Sequence, residues 1–108
     1  MSSRPAALRE RAPSERAPVY LLRLYVTGST PNSLRAIRNL RRICEAHLEG
    51  RYELAVVDVY QQPDLAGQAE IVAAPTLVKE SPLPVRRLIG DMSNEERVLV
   101  GLTLRPAP

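Results

Sequence analysis

The chain has 108 residues, with 15 Lys and Arg against 12 Asp and Glu, a formal charge of +3, one cysteine and one histidine. A chain of this length is one small domain that buries only about 60 to 65 per cent of its unfolded surface, so a flat apolar face can call for a second subunit. One cysteine excludes an intrachain disulfide framework, and the lone His47 cannot anchor a histidine-rich metal site.

Residues 1–18, rich in Ala, Pro, Ser and Arg, read as a disordered N-terminal arm. The arm lacks the apolar core of a secretory signal, and no later run approaches the roughly 20 apolar residues of a membrane span, so a cytoplasmic protein without membrane contact is the expectation. Arg4, Arg9, Arg11 and Arg16 against Glu10 and Glu15 place +2 of the formal charge in this arm. The rest is close to neutral, which argues against a nucleic-acid binder that gathers its cations on the folded part. The aromatics Tyr20, Tyr25, Tyr52 and Tyr60 all lie in or beside predicted strands, where tyrosine serves packing before it serves base stacking.

Val19 to Thr27 reads as a strand apolar on both faces, with Leu22, Leu24 and Val26 on one side and Leu21 and Tyr25 on the other, interrupted by Arg23. Two-sided burial suggests an inner strand. Gly28 to Thr30 turns the chain, Ser29 or Thr30 can cap the next helix, and Pro31 suits its first position because the missing N–H would be unpaired there. The helix runs to about Leu48, with Ile37, Leu40, Cys44 and Leu48 as its buried stripe, Arg35, Arg38 and Arg42 on another face, and Gly50 as its stop. Tyr52 to Val59 is the second strand. The helix between the two strands makes a right-handed crossover, which leaves them parallel.

The second half is ambiguous. Pro63 and Asp64 can start a short helix over Leu65, Ala66, Ala69 and Ile71, while Ile71 and Val72 also suit a strand. Thr76 to Lys79 reads as a strand, Glu80-Ser81-Pro82-Leu83-Pro84 as a turn, and Val85 to Ile89 as another strand ended by Gly90 and Asp91. Ser93 with Glu96 forms a capping box before Val98, Leu99 and Leu102, which favours a final helix. Val98, Val100, Leu102 and Leu104 also alternate with period two, and Gly101 weakens a helix interior, so a strand competes.

Enzymatic motifs are missing. Gly28-Ser29-Thr30-Pro31-Asn32-Ser33 has neither the spacing nor the lysine of a phosphate loop. An activated serine needs a base at hydrogen-bond distance, and His47 sits near the far end of the helix that Ser33 begins. Asp58 has no second carboxylate, His or Lys nearby in sequence and reads as a cap or turn residue. Cys44 lies on the apolar stripe as a packed thiol, its alternative being a redox sensor.

The strand, turn and helix of Tyr20 to Leu40 resemble the segment in which a thioredoxin-like chain carries its redox cysteines, but no cysteine is there. Val72-Ala73-Ala74-Pro75-Thr76-Leu77-Val78 resembles the thioredoxin strand that opens on a proline, so Pro75 is expected in cis geometry. Over Val19 to Leu104 the chain resembles the KaiB family of small clock proteins, which work with the ring-shaped ATPase KaiC. The stretches are L-R-L-Y-V-T-G-S-T-P-N-S, Y-E-L-A-V-V-D-V, Q-Q-P-D-L-A, A-A-P-T-L-V and P-V-R-R-L-I-G-D-M-S-N-E-E-R-V-L-V-G-L. The expected fold is α/β and thioredoxin-like, in the order βαβαββα over residues 19–104, followed by a short tail of residues 105–108. The runner-up is the alternative KaiB ground-state fold, in which the part after Pro63 is rebuilt and the chain commonly assembles as a tetramer.

The resemblance implies a non-catalytic regulator without cofactor that docks on a KaiC-type hexameric ATPase ring and alters its nucleotide and phosphorylation cycle. It also implies a homo-oligomer (dimer or tetramer) in at least one state and, less directly, a KaiA-type third component. A redox protein using Cys44 and a stress-related or signalling interaction domain outside a clock are the alternatives. Arg35, Arg86 and Arg87 are the expected protein-binding residues. Pro63, Pro75, Pro84, Gly90, Asp91, Gly101 and Thr103 are expected to shape or switch the fold. Thr103 stands where the family often has Asp, and Arg105 where it has Tyr. Strand alternation points Arg86 and Arg87 to opposite sides, so that one can brace the fold while the other meets an acidic surface.

Overall fold

A computed structural model describes residues 18–104. The expected arm and tail therefore lie outside the described residues, apart from Pro18. The order is β1 (Tyr20–Val26), α1 (Pro31–His47), β2 (Tyr52–Asp58), α2 (Pro63–Gln68), β3 (Thr76–Ser81), β4 (Arg86–Ile89) and α3 (Glu95–Gly101). This is the expected βαβαββα succession. The sheet runs β2-β1-β3-β4. β1 and β2 are parallel with Tyr20 beside Tyr52, as a right-handed crossover requires, while β3 pairs antiparallel with both β1 and β4.

The sheet has two unequal faces. Tyr20, Leu22, Leu24, Val26 and Leu77 pack beneath Ala36, Leu40, Ile43 and Cys44 of α1 and Val98 and Leu99 of α3. Tyr25, Val57 and Val78 on the other face are covered by Leu65, Ala66, Ala69 and Ile71 of α2 and its exit. The buried stripe of α1 is wider than its sequence suggests: Ser33, Ala36 and Ile43 are also buried, and Ile37 is only partly so. The small Ser33 and Ala36 let the helix approach the sheet, and Ile43 widens the stripe by one position beside Leu40 and Cys44.

Thr30 caps α1, its Oγ1 accepting from the Ser33 amide at 3.3 Å, with Pro31 at the first position. Ser33 Oγ in turn accepts from the Thr27 amide at 3.0 Å, which explains a fully buried serine. Asp58 takes the turn role, accepting from the Gly28 and Tyr60 amides at 3.3 and 2.9 Å.

Several expectations need correction. α2 wins the 61–74 ambiguity. Ile71 and Val72 form no strand, because the Ile71 amide is already bonded to the Ala66 carbonyl. β3 runs on to Ser81, since Leu21 of β1 still pairs there across a bulge. The last helix is capped by Asn94 and not by a Ser93/Glu96 box, because the Asn94 side chain accepts from the Arg97 amide at 3.1 Å while Asp91 takes the Ser93 amide at 3.0 Å. Residues 95–101 are helical, so the period-two alternation of Val98 to Leu104 does not make a strand. Tyr60 is 74 % exposed and is not a packing residue.

Candidate partner-binding site

β4 and the loop into α3 carry four of the expected residues, Arg86, Arg87, Gly90 and Asp91. Arg87 reaches across β3 toward α2: its guanidinium donates to the Glu70 carbonyl at 3.3 Å and to the Ala69 carbonyl. It thereby holds the carbonyl end of α2, where unpaired C=O groups and the helix dipole favour a cation. Arg86 lies on the opposite side of the strand, exposed, its guanidinium without a hydrogen bond or ion pair among the described residues. Val85 and Ile89, 53 % and 52 % exposed, alternate onto the Arg87 side of the strand, and Leu83 is exposed in the loop before it. The two arginines therefore divide as alternation suggests, Arg87 bracing and Arg86 facing outward.

Arg35 is not free. It pairs with Asp91 at 3.3 Å and also bonds Asn32 on its own helix. Asp91 also holds the loop: the Ser93 hydroxyl and amide, and then Arg35, keep its carboxyl below the ordinary carboxylate range. The Asn39 amide donates to its backbone carbonyl at 3.0 Å. Gly90 has φ +126, a backbone that side-chain-bearing residues rarely adopt. These contacts fix the direction in which β4 leaves the sheet. A second tie joins the helix ends, with His47 Nε2 at 2.9 Å from Glu95 and Arg42 at 3.6 Å. The hydrogen bond from His47 is the main reason that the Glu95 carboxyl sits below its usual range.

The end of α3 carries Gly101 and Thr103. A Cβ on Gly101 would lie 2.4 Å from the Leu88 side chain, so glycine lets α3 close onto β4. Thr103 follows the helix at φ +60, its amide bonded to the Val100 carbonyl and that of Leu104 to the Leu99 carbonyl. This is a Schellman ending with a β-branched residue in the left-handed position, where glycine is usual. The Thr103 hydroxyl accepts from Lys79 Nζ at 3.2 Å. Lys79 is 1 % exposed, and burial, followed by Arg86, lowers its pKa. Lys79 was missed by the sequence reading although its alternation with Leu77 places it on the core face. The prolines are spread out: Pro63 starts α2, Pro75 precedes β3 after the expected cis bond, and Pro84 lies before β4 in the loop where Pro82 and Pro84 are also cis.

The β1–α1 turn, where the redox centre would be, carries Gly28, Ser29, Thr30 and Pro31. Cys44 is fully buried, and burial is the main reason that its thiol is pushed up to about 12. No group of three or more His, Cys, Asp or Glu side chains among the described residues is arranged to hold a metal. No described helix is long and apolar enough to cross a membrane.

Comparison with known proteins gives one answer. The circadian clock oscillator protein KaiB of Synechococcus elongatus is 54% identical over 85 residues, covering 79% of this chain and 83% of that protein. The same-named protein of Prochlorococcus marinus (strain MIT 9312) is 55% identical over 85 residues, covering 79% of this chain and 81% of that protein. Among solved structures, the N-terminal domain of Synechococcus elongatus SasA superposes with a TM-score of 0.66 at 25% identity, over 85% of this chain and 90% of that one. Fasciola hepatica thioredoxin, at 20% identity and a TM-score of 0.65 over 91% of each chain, shows the shared fold. The KaiB domain family matches residues 23–104, and with these sequence relatives and this thioredoxin-like sheet the chain belongs to the KaiB family.

Proposed function

We propose that the protein is a non-catalytic clock regulator that docks, in the conformation described, on a KaiC-type hexameric ATPase ring and modulates its nucleotide and phosphorylation cycle. The observation that carries this reading is the relation to KaiB clock proteins at 54% identity, joined to an edge strand β4 whose Arg86 side chain has no partner among the described residues and whose other side carries exposed Val85 and Ile89. An apolar strand edge with one free guanidinium suits a partner surface that combines a carboxylate with apolar side chains. Arg35 and Arg87 support docking by holding the loop and α2 that frame β4. We place the protein in the cytoplasm. A KaiA-type third component and a dimer or tetramer of the free chain complete the proposal.

The proposed fold exchange centres on Pro63, Pro75, Pro84, Gly90, Asp91, Gly101 and Thr103, all within the part after α1 and β2. If about one chain in a hundred were binding-competent, the apparent dissociation constant would weaken about 100-fold, near 2.7 kcal/mol. A redox function is disfavoured by the Cys44 thiol, buried and pushed up to about 12. The test is to mix the protein with a purified cognate KaiC-type ring and follow co-elution, ATP hydrolysis and ring phosphorylation. Co-elution with altered hydrolysis or phosphorylation is expected. A ring that neither binds the protein nor changes its cycle would redirect the assignment to an interaction domain outside a clock.

A further inference from the structure

Lys79 is a buried cation whose charge is left unbalanced. β3 places it on the core face with Leu77, between Leu22 of β1 and Arg86 of β4 in the sheet register. It is 1 % exposed, yet among the described residues its ammonium, with three N–H donors, has only the Thr103 hydroxyl as acceptor, at 3.2 Å. The carbonyls at the end of α3 are engaged elsewhere. Val98, Val100 and Leu99 accept from the Leu102, Thr103 and Leu104 amides, and Leu102 accepts from the Thr103 hydroxyl. Arg86 sits directly opposite Lys79 on the same face, where cross-strand Cβ atoms are about 5 Å apart, and its guanidinium has no partner among the described residues. The neighbouring acids lie elsewhere: Glu80 turns to the other face and pairs with Arg23 at 3.5 Å, while Glu95 and Glu96 are in the first turn of α3, roughly 10 Å along the helix axis from Thr103. Like charges directly opposite each other destabilise a sheet, and buried donors left unpaired add to that cost.

We infer that the corner formed by β3, β4 and the end of α3 binds a free phosphate-class dianion, held by the Lys79 ammonium from beneath and the Arg86 guanidinium from outside. Charge selects this class, because two adjacent cations without a counter-charge match a dianion better than a chloride or a carboxylate. Donor geometry agrees with it. A guanidinium offers a planar fork to two oxygens, and a tetrahedral oxyanion keeps further oxygens for an ammonium approaching from another strand. Access is provided at the surface: Thr103 is exposed and its hydroxyl touches the ammonium, so Lys79 Nζ lies just beneath the surface with exposed Arg86 beside it. Burial and then Arg86 lower the Lys79 pKa, and a bound dianion offsets both by favouring the charged form. The ion needs no ring partner. Its groups come from β3, β4 and the end of α3, so it favours the conformation that brings these three elements together over any that separates them.

The test titrates the ¹⁵N-labelled full chain with inorganic phosphate near neutral pH, with chloride holding the ionic strength constant. Amide shifts at Lys79, Arg86 and Thr103 are expected to saturate together, with a dissociation constant of the order of 1 mM. Lys79→Met and Arg86→Gln should each weaken binding at least about tenfold, whereas Arg38→Gln, an exposed arginine on α1, should leave it unchanged. Arg86 is exposed, so Arg86→Gln tests the site whether or not Lys79→Met folds. Urea titrations give a second measure. Phosphate at about 20 mM should raise the wild-type folding constant about 20-fold and that of Arg86→Gln no more than about threefold. Shifts that grow linearly with phosphate, that saturate at other residues, or that are unchanged in Arg86→Gln would overturn the inference. So would tighter binding of O-phosphoserine at the same residues, since that would assign the corner to a phosphoryl group carried on a partner.

Discussion

Lys79 and Thr103 show how one contact can be both costly and specific. A buried ammonium that donates to a hydroxyl and not to a carboxylate keeps much of its desolvation penalty, so Lys79→Met, of similar length and apolar, should leave stability unchanged or raise it by about 1 kcal/mol in urea titrations. Thr103 holds a left-handed backbone at φ +60 that costs a β-branched residue roughly 1 kcal/mol. Asn tolerates that backbone and still offers Lys79 an oxygen, so Thr103→Asn should raise the unfolding free energy by about 0.5 to 1 kcal/mol; a lower value would contradict the strain argument. At Cys44 the shift from 9.0 to about 12 implies about 1,000-fold less thiolate than an unperturbed thiol at pH 8. Iodoacetamide should label it slowly in the native protein and promptly in denaturant.

Elements are held by few polar contacts, and these are separable. Removing the Arg87 guanidinium leaves the Ala69 and Glu70 carbonyls without it, so Arg87→Ala should speed hydrogen exchange in residues 65–71 while Arg86→Ala does not. The loop before α3 has an acid-side dependence. The Asp91 and Glu95 carboxyls sit below their ordinary values, through Ser93 for the first and His47 for the second. Depressed carboxyls favour the folded state above their unfolded range, near pH 4, and that contribution is lost as pH falls through the lower folded values. Urea midpoints measured from pH 6 to pH 3 should therefore fall less steeply in Asp91→Asn than in wild type.

Legibility in the sequence varied along these elements for physical reasons. β1, α1 and β2 were readable because two-sided apolar strands flank a helix with Thr30-Pro31 at its start and Gly50 past its end. The Ser93/Glu96 box was misread because Asp91 claims the Ser93 amide, a competition that only the folded loop reveals. Ile71 and Val72 carry strand propensity, but the Ala66 carbonyl takes the Ile71 amide and Val72 is left 92 % exposed. Alternation separated Arg86 from Arg87 correctly, whereas which of them braces depended on where the end of α2 lies. Arg35 was expected to contact a partner, and its pairing with Asp91 could not be anticipated from residues 56 positions apart.

On the scale of the whole molecule, a thioredoxin-like sheet is closed by two helices on one face and only partly by α2 on the other. The redox position is occupied by Gly28 to Pro31, and the outward polarity of β4 concentrates on Arg86. Docking through that strand is the central claim, and it separates two neighbouring residues of identical chemistry. Truncating a charged hot spot costs about 2 kcal/mol or more, close to 30-fold in affinity, against roughly 0 to 1 kcal/mol for a screened surface charge. The direct measurement is binding of wild type, Arg86→Ala and Arg87→Ala to a cognate KaiC-type ring, with circular dichroism confirming the fold of each. The account predicts about 30-fold weaker binding for Arg86→Ala with unchanged dichroism, and a smaller loss for Arg87→Ala that follows loosening of α2. Binding of Arg86→Ala within about twofold of wild type at unchanged fold would contradict it.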